Sequence, residues 1–224
     1  MAKFQDSWWF PSHEQHLPAW MANPKARMII NGRPAYQGKK QLAAIAECGR
    51  LGRTRTAIDV GGHIGLWSFN LAHTFERTVA FEPVQDHRAC FARNCEAQLA
   101  SGKLVLEACA LGMEEGAVSI HTAPTSSGDS WVKGSGDIPM HTLDSFALED
   151  VDLIKTDTEG YEENVLRGGL VTITTWRPVI MVEQKRDMAS ERFGLGKLGA
   201  VQLLLDMGYR VAAELSGDYL CVPA

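Results

Sequence analysis

No stretch of this sequence is apolar for anything like the ~18–20 residues that a membrane span requires. Its opening residues, MAKFQDSWWFP, carry one lysine and no long apolar segment, so they do not read as a secretory signal, and a cytoplasmic location is the expectation. A basic excess is also missing. Lys and Arg number 22 against 27 Asp and Glu, a net charge of −5, which argues against a chain that wraps a nucleic-acid backbone. Cysteine is sparse and never spaced as CxxC. Cys48, Cys90, Cys95, Cys109 and Cys221 are odd in number and read as reduced, mostly buried thiols rather than a disulfide framework or a zinc site. Internal repeats, low-complexity tracts and an interior domain boundary are absent too. What remains, at 224 residues and 45% hydrophobic, is enough chain for one domain with a sizeable core, or one domain plus a short extension.

Two regions differ in texture. Residues 1–36 hold Trp8, Trp9, Phe10 and Trp20, four prolines and little clean periodicity, and read as an N-terminal extension that packs on the main domain as a substrate or interface element. Residues 37–224 alternate between the two periodicities. Helical spacing over Gly38–Leu51 is followed by short strands at Ala57–Val60, Thr78–Phe81 and Leu104–Ala108, with helices at Leu66–Phe75 and Val84–Leu99 between them. Further strands are expected at Ala117–Ile120, Leu153–Thr156 and Val179–Val182, helices at Glu162–Arg167 and Leu198–Met207, and a loop over residues 122–137. Tyr209–Leu215 and Tyr219–Val222, joined by Ser-Gly-Asp, form a closing hairpin. Such alternation predicts an α/β, Rossmann-like fold: a mostly parallel seven-stranded sheet with helices on both faces, the hairpin adding an antiparallel strand at the edge. Ligands in such sheets bind beyond the carboxyl ends of the strands.

The segment IDVGGHIGLWS, residues 58–68, sits at the first such end. Asp59 closes the strand, Gly61, Gly62 and Gly65 free the backbone, and a helix opens at Leu66 with unpaired N–H groups. Glu82 ends the next strand, where an acid can accept ribose hydroxyls. A plain strand-to-helix turn with an exposed Glu is the bland alternative; the whole unit favours nucleotide binding. The dinucleotide pattern G-x-G-x-x-G fails because its first glycine would fall on Val60. D-x-G-x-G-x-G fits at Asp59, Gly61 and Gly65, with His63 in place of the middle glycine, and that pattern marks S-adenosylmethionine (SAM) binding.

Taken with VAFEPVQDH, ACALG, HTLDSF, DLIKTDTEGYEENVLRGG and RPVIMVEQ, that segment resembles the successive blocks of FkbM-family SAM-dependent methyltransferases, from about Thr56 to Glu183. GYRVAAELSGDYLCV is similar to the family's closing hairpin. The resemblance implies a class I methyltransferase fold and SAM as cofactor, with S-adenosylhomocysteine as product. It implies that Asp59, Gly61 and Gly65 shape the methionine end of the pocket, with Gly62 also among the cofactor-binding residues, that Glu82 holds the ribose with Pro83 stiffening the turn, and that Ala110 lies near the adenine. His63 stands where the family usually has Asn, as a cofactor contact or a turn imidazole bonded to backbone. The acceptor it implies is a sugar, glycan or natural-product hydroxyl.

LIKTDTEG is the richest segment for chemistry. Lys155 and Asp157 share a face of one strand, Glu159 follows in the turn, and Glu183 ends the next strand. These carboxylates could bind the cofactor amine, hold a divalent metal through oxygen, or take a proton from an acceptor hydroxyl. Asp157 is read as cofactor ligand and as a candidate base, with Glu159 or Glu183 as the rival base; a structural Lys155–Asp157 ion pair is the alternative. His13 and His16, three apart, suggest a metal pair without HExxH spacing. The N-terminal aromatics would seal a core edge or stack on a sugar. Two other functions fit parts of the sequence: an RNA ribose 2′-O-methyltransferase using Lys40, Asp157, Lys185 and Glu214, and a non-catalytic nucleotide-binding module.

Overall fold

Thr56–Val60, Val151–Thr156 and Val179–Glu183 are runs dominated by β-branched and aliphatic residues with no polar alternation, and every residue in them is buried. Such strands need cover on both faces, which places them in the middle of a parallel sheet. That is where they lie in the computed structural model, which describes residues 2–23, 28–185 and 187–224.

In chain order the elements are β1 (Ala2–Gln5), β2 (Trp8–Pro11), α1 (His16–Met21), β3 (Ile29–Ile30), β4 (Arg33–Pro34), α2 (Gly38–Arg50), β5 (Thr56–Val60), α3 (Ser68–Thr74), β6 (Arg77–Phe81), α4 (Gln85–Asn94), α5 (Glu96–Ala100), β7 (Leu104–Glu107), β8 (Ala110–Leu111), β9 (Gly116–Thr122), β10 (Ser130–Ser135), β11 (Ile138–His141), β12 (Val151–Thr156), α6 (Glu162–Arg167), α7 (Leu170–Trp176), β13 (Val179–Glu183), α8 (Met188–Phe193), α9 (Gly199–Asp206), β14 (Tyr209–Leu215) and β15 (Asp218–Pro223). The main sheet has seven strands in the order β14-β15-β13-β12-β5-β6-β7. Strands β7, β6, β5, β12 and β13 are parallel neighbours; β15 runs antiparallel to both β13 and β14.

Helices cover both faces. On one, Ala44 and Cys48 of α2 pack with Trp67, Leu71, Phe75 and the inner strands. On the other, Val165, Leu166, Ile173, Ala200, Val201 and Leu204 from α6, α7 and α9 close a second core. The chain leaves β5 toward β6 and β7 and later returns to β12 on the other side of β5. The strand order therefore reverses between β5 and β12, the crevice where open α/β sheets take ligands.

Three expectations need correction. The antiparallel strand does not lie at the sheet's edge: β15 inserts between β13 and β14, and β14 takes the edge parallel to the rest. The residues expected as a fourth strand, now β9, belong to a separate four-stranded sheet ordered β10-β9-β11-β8, and the expected loop 122–137 contains β10. The long helix expected from Val84 breaks at Cys95 into α4 and α5. The first two have one cause. A strand's neighbours are set by long-range pairing, and the local alternation that reveals a strand does not specify them.

The N-terminal residues fold onto this body. Strands β1 and β2 form a hairpin whose Trp8 and Phe10 are fully buried with Phe91, Phe69 and Ile64. Trp8 Nε1 donates to Pro34 O at 2.8 Å, and Asn94 of α4 clamps Trp9, accepting from its N–H at 2.7 Å and donating to its carbonyl at 3.0 Å. The aromatics seal a core edge, as one of the two sequence readings had it. All five cysteines are free and buried, as their spacing implied. Among the described residues no helix is long and apolar enough to cross a membrane.

Candidate active site

The glycine turn after β5 is built by close backbone approach. Gly61 has φ +75°, and a Cβ there would stand 2.1 Å from Asp157 O, so only glycine fits. Gly65, at φ +90°, passes over Cys95, whose Sγ would lie 2.7 Å from an added Cβ. His63 also holds a left-handed φ of +50°, a conformation in which Asn, Asp and His are the enriched non-glycine residues. Gly61 and Gly62 N–H groups both donate to Phe81 O, at 3.1 and 3.0 Å, joining the turn to the end of β6.

Beneath the turn lies a buried ion pair. Lys155 Nζ sits 2.9 Å from Asp59 Oδ1 and donates to the carbonyls of Val60 and Gly61 at 3.1 and 2.8 Å. Ser68 Oγ donates to Asp59 Oδ2 at 2.5 Å. Burial opposes the Lys155 charge, but Asp59 and Asp157 outweigh it and raise its pKa. Lys155 therefore pairs with Asp59 across adjacent strands, where the sequence suggested a pair with Asp157. Asp59 and Gly65 lie outside the cavity and shape it from behind, whereas Gly61, Gly62, His63, Glu82, Pro83 and Ala110 line it.

That cavity encloses about 630 Å³, within the ~300–1,000 Å³ range of small-ligand sites. At one end Glu82 is 4% exposed, and both its oxygens accept hydrogen bonds: Oε2 from His63 N–H at 2.7 Å, Oε1 from Val84 N–H at 2.8 Å and from His87 Nδ1 at 3.2 Å. These bonds overcome the burial that opposes its charge, and its pKa is lowered. Cys109, Ala110, Leu111, Phe81 and Ile120 give this end an apolar wall.

At the other end the strand termini of β12 and β13 bring three carboxylates together. Asp157, Glu159 and Glu183 each place an oxygen within 4.8 Å of the others. Burial works against all three, and they divide by what else each meets. Asp157 is held ionised, its pKa down to about 2, by the ammonium of Lys155, a hydrogen bond from Glu183, and Lys185 and Lys40. Glu159 is pushed up to about 8 by burial and by the Asp157 charge. Glu183, only 2% exposed, is raised well above its ordinary value for the same two reasons. Lys185 Nζ pairs with Glu183 Oε1; Glu183 Oε2 has no hydrogen-bond donor among the described residues. The Glu159 turn is pinned by Arg192, which donates to Glu159 O at 2.6 Å, and by Glu162 Oε1, which accepts from Thr158 and Gly160 N–H at 2.8 and 3.1 Å. Tyr36 and Gln37 complete the wall, Gln37 Oε1 accepting from Trp67 Nε1 at 2.8 Å.

The four residues of the RNA reading are not assembled. Lys40 and Lys185 reach the same carboxylate, Asp218, at 2.6 and 3.7 Å, but Glu214 is exposed on β14 and lies outside the cavity. His16 lies at the cavity rim, and neither it nor His13 joins a metal-ligating cluster among the described residues. Four contributors went unmarked in the sequence: Glu14, Ser127, His87 and Arg192. Glu14 lies between His13 and His16 in the sequence.

A glycine turn at the switch point, an acid on the adjoining strand and an acidic strand end beside the turn form the arrangement that the sequence suggested for SAM. The bare turn fits that cofactor, because any side chain at Gly61 would fill the space between the strand ends. The family model for the methyltransferase FkbM domain matches residues 59–211, and the chain belongs to that family. Among solved structures it is similar to a methyltransferase FkbM from Methylobacillus flagellatus KT, with 16% identity, a TM-score of 0.50, and 75% of this chain covering 43% of that one. It is also similar to a precorrin-6y C5,15-methyltransferase from Geobacter metallireducens GS-15, with 15% identity, a TM-score of 0.50, and coverage of 88% and 93%. A methyltransferase from Geobacter sulfurreducens matches at 13% identity and a TM-score of 0.50, over 84% of this chain and 78% of that one. These likenesses are of fold. No significant match is found among curated proteins. The chain spans less than half the length of the Methylobacillus protein.

Proposed function

We propose that this protein transfers the methyl group of SAM to a hydroxyl oxygen of a sugar, glycan or natural-product acceptor. The observation that carries the reading is the convergence of Asp157, Glu159 and Glu183 at one end of the cavity, each with an oxygen within 4.8 Å of the others, with the Asp157 pKa lowered to about 2, that of Glu159 pushed up to about 8 and that of Glu183 raised. Neighbouring titratable groups driven apart in this way mark separate roles. Asp157 suits the cofactor's ammonium. Glu159 or Glu183 suits the acceptor's proton.

The chemistry balances without another reagent. The hydroxyl oxygen attacks the methyl carbon, the carbon–sulfur bond breaks, sulfur keeps the electron pair, and the hydroxyl proton passes to a carboxylate. When bound, SAM would supply the methyl group on a sulfonium, and Asp157 would hold its ammonium. Positive charge lowers a neighbouring carboxyl's pKa, so beside a bound cofactor Glu159 would give up its proton at lower pH than in the free protein. The same three oxygens are of the type that holds a hard cation; Lys185, already paired with Glu183, occupies part of that role.

The sugar-class acceptor rests on the family resemblance and on a cavity end that mixes carboxylates with Tyr36 and Tyr161. The experiment is calorimetry with S-adenosylhomocysteine combined with turnover on pooled hydroxyl acceptors. Asp157→Ala should abolish binding. Glu183→Ala and Glu159→Gln should bind the cofactor and turn over ~10²–10⁴-fold more slowly for whichever is the base. Normal SAM affinity in Asp157→Ala removes that residue from the cofactor site, and good binding with no product from any acceptor favours the non-catalytic module.

A further inference from the structure

The tautomer of His63 follows from its neighbours. Ser127 is fully buried, and its Oγ lies 2.5 Å from Glu14 Oε2 and 2.8 Å from His63 Nε2. A hydroxyl has one proton to donate. Glu14 is also fully buried; its Oε2 accepts from Ser127 N–H, its Oε1 from Leu17 N–H at 2.8 Å, and these bonds hold its pKa below the ordinary value against the opposing effect of burial. An ionised carboxylate only accepts, so the Ser127 hydroxyl proton points to Glu14. The remaining position on Ser127 Oγ is a lone pair, and His63 must donate to it from Nε2. Burial and the neighbouring His87 push the His63 pKa down to about 3, so the ring is neutral and its Nδ1 carries no proton. His63 lines the cavity, and no described residue donates to Nδ1.

Glu82, beside it, is nearly saturated. Of roughly four lone-pair positions on a carboxylate, three are taken by His63 N–H, Val84 N–H and His87. One acceptor position therefore remains on Glu82, and one on His63. A ribose diol offers two donors.

We propose that the two ribose hydroxyls of the cofactor are read by two different residues, one by Glu82 Oε2 and the other by His63 Nδ1, and that Glu14 is a positioning residue that sets the acceptor face of His63 through Ser127. This rests on SAM occupying the cavity as proposed above. It gives the N-terminal segment a place in cofactor recognition: Glu14 comes from the extension, Ser127 from the segment before β10, and His63 from the glycine turn. The Gln15 N–H, which donates to Thr125 O at 3.0 Å, ties the first two together.

The probes are S-adenosylhomocysteine and its 2′-deoxyribose and 3′-deoxyribose analogues, measured by calorimetry, with ¹⁵N NMR of the imidazoles. In the wild type the analogue that loses the bond to His63 should bind about two- to twelvefold more weakly than the parent, and the one that loses the bond to the Glu82 carboxylate about 12- to 160-fold more weakly. In His63→Leu one of the two penalties should vanish while the other persists. The NMR spectrum should show Nε2 protonated and Nδ1 bare in the wild type, and a mixture of tautomers in Ser127→Ala and Glu14→Ala, with Ser127→Thr restoring the single form. A merely structural role for Glu14 would leave the tautomer unmoved. Both penalties unchanged in His63→Leu, or a protonated Nδ1 in the wild type, overturns the assignment to His63 while leaving the cofactor in place. Failure of the wild type to bind S-adenosylhomocysteine at all overturns the cofactor reading, and this one with it.

Discussion

At the scale of single residues, two substitutions separate building the seat from using it. Lys155 lies on the strand beside Asp59, and its ammonium is committed to that carboxylate and to two carbonyls of the turn. Lys155→Met strands a fully buried Asp59 without its counter-ion, and breaking such a pair from one side costs about 3–5 kcal/mol. Denaturant titration should show that loss, and Asp59→Asn in the same chain should recover part of it; recovery fails if Lys155 acts on substrate rather than on the turn. Gly61→Ala tests the turn itself. The new methyl meets Asp157 O and the residue must hold a positive φ, so β5 and β12 must part at the switch point. S-adenosylhomocysteine binding should fall below detection by calorimetry even where circular dichroism reports a folded sheet. The glycines and Glu82 were legible in the sequence because each is dictated by its own position at a strand end. The partners of His63 were not, since Glu14 and Ser127 lie 49 residues before it and 64 after it in the numbering, and only the folded chain brings them together.

At the scale of elements, the junction of β12 and β13 predicts opposed pH responses. Asp157 has its folded-state pKa lowered to about 2, so its contribution to stability is present above its unfolded value near 4 and is lost as pH falls toward 2. Glu159 is the reverse case. Its pKa rises to about 8, so between its unfolded value near 4.5 and pH 8 the folded state binds more protons than the unfolded one, and stability declines as pH rises through that window. Thermal melts of the cofactor-free protein should therefore show the melting temperature falling from pH 5 to 8 through Glu159 together with the similarly raised Glu183 and Glu162, and Glu159→Gln should make that limb shallower without abolishing it. A limb of unchanged slope in the variant would place the titration elsewhere. Strand positions were readable here because β12 and β13 are short, mostly aliphatic runs, with Asp157 directly after the first and Glu183 closing the second. The small sheet of β8 to β11 was not, because TSSGDSWVKGSGD reads as loop by composition and becomes a strand only by pairing with β9.

For the whole molecule, the question is whether residues 1–36 are an attachment or part of the fold. Their composition suggested an extension, since prolines and indoles without period give no element to recognise. The structure shows why the aromatics are there: Trp8, Phe10, Leu17 and Met21 are 0–3% exposed and share one cluster with Ile64, Leu66 and Phe69 from behind the glycine turn. Fully burying side chains of this size contributes ~1.5–3 kcal/mol each, and four together approach the ~5–15 kcal/mol that keeps a domain folded. Deleting residues 1–36 would also expose Phe91 and Cys95, against which Gly62 and Gly65 pack. The expected outcome is loss of cooperative unfolding and of cofactor binding together, read by calorimetry and by binding of a hydrophobic dye. Phe10→Ala, a milder cut at the same cluster, should cost about 3–5 kcal/mol and leave affinity for S-adenosylhomocysteine within a few-fold in the fraction still folded. A truncated chain that melts cooperatively and binds the cofactor at full strength would show that the segment is an appendage, and would move the boundary of the functional domain to Gln37.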